Sequence, residues 1–149
     1  MKIALGVDHG AFVYKEAIAS LVRSLGHEIV DCGTDSEAAV DYPVIALAVA
    51  RAVRQGQAEL GIFACGTGIG GSIAANKVKG IRAALCHESF TAAMAREHNH
   101  ANILCLGARV VGLSLALEIV RTFLATPCSG DARHVRRVQM LEDIERSPV

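Results

Sequence analysis

The chain has no tryptophan, two tyrosines and four phenylalanines among 149 residues. Its core must therefore be built from Ala, Val, Leu and Ile. It also lacks net charge, since fifteen Lys and Arg balance fifteen Asp and Glu. That argues against nucleic acid as a general partner. No segment is both long and apolar enough to span a membrane. The short apolar run after Lys2 meets Asp8-His9 at once, so a signal peptide is not expected. Five cysteines is an odd number, and they lack metal-finger spacing. This argues against a disulfide framework and for a reducing, cytoplasmic setting. No repeat, low-complexity tract or domain boundary appears, so residues 1–149 read as one domain. A neutral surface with 52% hydrophobic residues fits burial of surface in an oligomer.

What is present is an alternation. Short apolar runs at 3–7, 28–30, 60–64, 81–85 and 103–106 read as strands. Between and after them, helical periodicity covers 11–25, 43–55, 72–79, 90–97, 113–124 and 131–144. Ser72 and Ser89 read as N-caps, Gly26 as a helix stop, and Pro43 as a first-turn residue. Five strands alternating with helices predict an α/β fold: three α/β/α layers, Rossmann-like, around a five-stranded parallel sheet. An extra, Arg-rich C-terminal helix follows the Thr126–Gly130 linker.

The chain is organised around Cys65-Gly66-Thr67-Gly68-Ile69-Gly70-Gly71-Ser72, between a strand end and a helix start. Glycines let the backbone turn sharply and approach a ligand. Free amides at a helix start favour negative charge, and thiolate over thiol. Such a loop suits an oxyanion or a phosphate beside a thiol. Two other readings stand beside this one. The loop is also compatible with a plain turn next to an inert core cysteine. Gly66, Gly68 and Gly71 spell a dinucleotide fingerprint too, with Glu88 near the place of a ribose-binding acid. Against the latter, only about eight residues separate Ser72 from Gly80, short for a Rossmann helix, and the motif lies mid-chain.

In open parallel sheets, ligands bind beyond the carboxyl ends of the strands. Asp8-His9, Cys65–Gly71, Cys86–Glu88 and Gly107–Arg109 fall there. His98-Asn99 enters the fifth strand from the other edge, so it joins that crevice only through a loop that reaches over. Each element also has a plain reading: a solvated turn for Asp8-His9, a helix C-cap for His98-Asn99-His100, a charged face for Arg133 and Arg137. The two arginines lie four apart and share one helix face. They form a candidate phosphate clamp to which Arg109 and His134 can add. No nearby carboxylate makes His98 and His100 a metal set. An acid–base pair, a thiol, an oxyanion loop and a phosphate clamp suit proton transfer on a small phosphorylated carbonyl compound.

Several motifs carry a resemblance: Asp8-His9, Asp41-Tyr42-Pro43, the run from Cys65 to Lys77, Gly80-Ile81-Arg82-Ala83, His98-Asn99, Gly107-x-Arg109 and Arg133-x-x-x-Arg137. Over nearly the whole chain they resemble the type-B ribose-5-phosphate isomerase family, which includes galactose-6-phosphate isomerase subunits. The resemblance implies an aldose–ketose isomerase with no metal and no nicotinamide cofactor. It implies Cys65 as the base, Thr67 as a hydroxyl partner, and the amides of Gly66, Gly68, Ile69 and Gly70 as holders of an enediolate. It implies His98, with Asp8, for ring opening, and Tyr42 and Asn99 for sugar hydroxyls. His9, Arg109, Arg133 and Arg137 would bind phosphate. Family members are homodimers or tetramers with sites shared between chains. One branch uses a glutamate base at the position of Gly71; this chain has Cys65 instead. Gly10 also departs from the family pattern, which bears on the phosphate side and leaves the preferred sugar open. The rivals are another tetrose, hexose or deoxy-sugar phosphate on the same machinery, or a non-catalytic binding module.

Overall fold

The apolar runs form five strands: β1 Lys2–Val7, β2 Glu28–Asp31, β3 Leu60–Cys65, β4 Ala83–Leu85 and β5 Ile103–Gly107. The structure is a computed structural model and describes residues 1–147. The last two residues of the 1–149 domain lie outside it. The strands pair in the order β2-β1-β3-β5-β4, every pair parallel. Strand order reverses between β1 and β3, so their carboxyl ends flank the crevice where such sheets take ligands.

Alternate residues of each strand face opposite layers. Leu60, Ile62 and Ala64 of β3 pack with Ile18 and Val22 of α1 (Lys15–Ser24), Ala92 of α4 (Ser89–Glu97), and Ile119 and Phe123 of α5 (Leu113–Ala125). Phe63 and Cys65 face the other layer, with Val49 of α2 (Tyr42–Arg54) and Ala75 of α3 (Ile69–Ala75). The expected three layers are present. The extra helix is α6, Ala132–Arg146.

Four boundaries differ from the sequence reading. The first helical segment opens as a 3₁₀ turn, His9–Tyr14, because the Asp8 carboxylate takes the Gly10 N–H at 2.8 Å and tightens the backbone. Ser72 is not an N-cap: α3 starts three residues earlier, from Gly68 at φ 78°. The Ser72 hydroxyl donates back to Ile69 O inside the helix. Glu88, not Ser89, caps α4, its carboxylate accepting from the Phe90 and Thr91 amides. Finally, β4 begins at Ala83 instead of Ile81. The side chains of Asn102 and Asn76 take the Arg82 and Ala83 amides there.

Candidate active site

Cys65 is the last residue of β3 and is 5% exposed. Its position follows from a fully buried strand that runs straight into glycine. The Gly68 N–H lies 3.1 Å from its Sγ, so this amide points at the sulfur. The Ile69 N–H leans toward Thr67 Oγ1 at 3.4 Å. The loop thus wraps its own thiol, and two of the amides assigned to an anion are engaged within it.

Side chains pack closely around this loop. A β-carbon on Gly70 would lie 2.5 Å from the Tyr42 ring, which covers the loop from the start of α2. One on Gly66 would meet the Arg109 guanidinium at 3.4 Å. Arg109 is held there because its N–H donates to Gly66 O, while the Ala108 N–H donates to Cys65 O. Gly10 stands against the Gly66 amide, where a β-carbon would come within 3.0 Å. The departure at position 10 therefore lets the 3₁₀ turn close on the thiol loop. Asp8, 5% exposed, donates its amide to Ala64 O beside Cys65. His9 Nδ1 accepts the Val40 N–H at 3.2 Å. One end of the sheet therefore gathers Asp8, His9, Tyr42, Cys65, Thr67 and Arg109.

His98, Asn99, Arg133 and Arg137 are not in this group. His98 ends α4, and the loop after it feeds the first residue of β5. Asn102 of that loop accepts the Gly61 N–H at the start of β3. The six residues of β3, roughly 17 Å of strand, separate that edge from Cys65. The route by which His98-Asn99 would reach over within one chain is thus not taken. Instead α6 joins it. The Ser129 N–H donates to Glu97 O, His100 Nε2 bonds Ser129 O, and the His98 and His134 rings stack. Arg133 Nε lies 3.2 Å from both His134 Nε2 and Asp131 Oδ2. A second group, His98, Asn99, Arg133, His134 and Arg137, therefore occupies the opposite end of the sheet.

Among the described residues, neither Arg109 nor Arg137 is ion-paired. Nor do three His, Cys, Asp or Glu gather as metal ligands among them. Glu88, the acid a dinucleotide reading needs, is spent on its helix cap. Burial pushes the Cys86 thiol up, and the deeply buried Cys105 thiol further, so these two are core sulfurs. Two side chains carry more than the sequence suggested. Phe63 lies directly under Gly71, and His134 is a ring partner rather than a surface addition to the clamp. The first had no signal beyond its place two residues before Cys65. The second was visible only as a possible addition to the arginine clamp, since its ring partner comes from α4.

A parallel α/β domain with a thiol under a glycine loop at its switch point, and cationic groups beside it, defines a site for proton transfer on a small anionic compound. Comparison with known proteins narrows that class. The family model described as Ribose/Galactose Isomerase matches residues 3–141. Ribose-5-phosphate isomerase B of Escherichia coli is 46% identical over 145 residues, with 97% of each chain covered. The solved ribose-5-phosphate isomerase B of Clostridium thermocellum is 53% identical at a TM-score of 0.95, with 98% of each chain covered. That of Mycoplasma genitalium, solved with bound ribulose-5-phosphate, is 39% identical at a TM-score of 0.93, over 99% of this chain and 97% of that one. This chain belongs to the ribose/galactose isomerase family.

Proposed function

We propose that this protein interconverts ribose 5-phosphate and ribulose 5-phosphate, without metal or nicotinamide cofactor. The observation that carries the reading is Cys65: a thiol at the end of a buried central strand, in an amide-lined loop, in a chain of this family. Cys65 acts as the base. It takes the C2 proton of the open-chain aldose, and the C–H electron pair becomes the C1–C2 double bond of a cis-enediolate. The C1 carbonyl pair moves onto O1 as this bond forms; transfer of the O2 proton to O1 and return of a proton to C1 then leave the carbonyl at C2, the ketose. The Gly66–Gly70 backbone and the Thr67 hydroxyl stabilise the anion. His98, with Asp8, opens the furanose by moving a proton from O1 to the ring oxygen. Tyr42 and Asn99 contact sugar hydroxyls, and His9, Arg109, Arg133 and Arg137 hold the phosphate.

The same reading requires two chains. A homodimer brings the His98 edge of one protomer to the Cys65 end of its partner. Exposed apolar side chains beside both halves support it: Ile69 and Ile73 on α3, and Val135, Leu141 and Ile144 on α6.

Proton NMR in heavy water with ribose 5-phosphate and a panel of tetrose, hexose and deoxy-sugar phosphates tests the assignment. Ribose 5-phosphate should turn over fastest, with deuterium entering at C1 of the ketose. Faster turnover of a hexose phosphate would reassign the substrate. No turnover of any sugar phosphate, with binding retained, would leave a binding module.

A further inference from the structure

The His98 and His134 rings lie face to face, centroids 4.1 Å apart and planes 4° from parallel. Their surroundings differ. The His98 side chain is 36% exposed at the end of α4, whereas His134 is 5% exposed in the first turn of α6. Arg133 Nε donates to His134 Nε2 at 3.2 Å. That nitrogen must therefore offer a lone pair, and a neutral His134 carries its proton on Nδ1. Burial, then His98, Arg133 and Arg137, hold His134 below the usual histidine range, with Asp131 pulling the other way. From α4, Glu97 Oε1 stands 3.8 Å from His98 Nε2.

A half-exposed imidazole at a helix end is free to turn about its broad ring torsion. An arginine has still more freedom to lose. Proton transfer and phosphate binding both need those freedoms removed before substrate arrives. His134 touches both groups. Its flat face limits the plane of His98, and its Nε2 anchors the Arg133 guanidinium, which Asp131 braces from the other side.

We propose that His134 is the positioning residue of this half of the site, aligning the ring-opening histidine and a phosphate-binding arginine with one neutral ring. The proposal rests on the isomerase reading above. It requires the neutral form, since a protonated Nε2 would face the Arg133 N–H as donor against donor. It also separates two functions of one side chain. A phenylalanine at 134 keeps the flat face and loses the acceptor; an alanine loses both.

The test compares His134→Phe and His134→Ala with the native enzyme. The substrates are ribose 5-phosphate and 4-deoxyribose 5-phosphate, which has no O4 with which to close a furanose. His134→Ala should lower kcat on the cyclic substrate at least about tenfold more than on the open-chain one. His134→Phe should recover most of that difference but retain a raised KM on both substrates. In NMR spectra assigned with a His98→Asn control, the upfield ring-current shift of the His98 carbon-bound protons should persist in His134→Phe and vanish in His134→Ala. Equal losses on both substrates, or His98 signals unmoved in His134→Ala, would overturn the positioning role. Absence of isomerisation by the native protein itself would instead sink the reading on which the proposal rests, and the NMR comparison would still report whether His134 orients His98.

Discussion

A β-carbon on Gly71 would stand 1.9 Å from Cε1 of Phe63, a ring with no solvent exposure. A side chain at position 71 would have to displace that ring, which fits the proposal that Cys65, and not residue 71, supplies the base. Gly71→Ala should therefore cost about 1–3 kcal/mol by overpacking, read as a lower urea midpoint at unchanged slope; a neutral result would mean that Phe63 yields easily. Cys65→Ala should leave phosphate-ester affinity nearly intact while turnover drops below about a tenth of native, and higher residual turnover would remove Cys65 as base. His134 adds a pH dependence. Its folded-state pKa lies below the ordinary 6.5, burial being the largest cause. The unfolded chain then binds the proton first, so stability should fall as pH drops below 6.5 toward the folded value. Asp131 and Glu88, also shifted down, lose their contribution only below their ordinary values of 3.8 and 4.5. Urea midpoints at pH 7.5 and 5.5 should thus fall more in the native protein than in His134→Phe; equal falls would assign the loss elsewhere. Cys65 was legible in the sequence because a buried run ending in Cys-Gly is a local pattern. The contact of Phe63 with Gly71 was not, because it depends on which face of the strand meets α3.

Strands and helices were legible as elements, since periodicity is set by local geometry. Their ends were not, since caps are chosen by backbone angles and by side chains that arrive from elsewhere. Gly68 displaces Ser72 as the start of α3 because only glycine readily takes φ 78° there. β4 starts at Ala83 and not at Ile81, where the side chains of Asn102 and Asn76 take the Arg82 and Ala83 amides. The cap of α6 was close to its expected place, and it carries a functional consequence. Asp131 accepts the Arg133 N–H at 2.9 Å and pairs with the Arg133 guanidinium at 3.2 Å. Asp131→Ala should cost about 1 kcal/mol as a lost N-cap. If Arg133 holds the phosphate as proposed, the same substitution should also raise KM for sugar phosphate with little change in kcat, because it would loosen that arginine and leave the proposed base untouched. A fall in kcat at constant KM would show that Arg133 acts on the reacting carbons instead.

The two groups of candidate residues lie at opposite ends of one sheet, and this could be anticipated only in part. The sequence shows that His98 enters β5 from the far edge and that α6 follows a linker. It does not show that α6 settles beside His98, because that depends on the Glu97–Ser129 contact and on the ring stack. Once there, α6 buries only His134 and Val138 and leaves Val135, Leu141 and Ile144 exposed. A helix so lightly covered by its own domain has an apolar face available to a second copy. If that copy completes the site, defects in the two halves should complement one another. Cys65→Ala chains and Arg137→Ala chains, each nearly inactive alone, would be mixed in equal amounts and allowed to exchange subunits. Half of the resulting dimers are mixed, and each of these has one site with both defects and one with neither. Activity should then recover toward about a quarter of native. Mass spectrometry of the mixture counts the mixed dimers independently. Mixed dimers without recovered activity would show that each site is built from a single chain, and that His98 reaches Cys65 only through a rearrangement of α4 and α6.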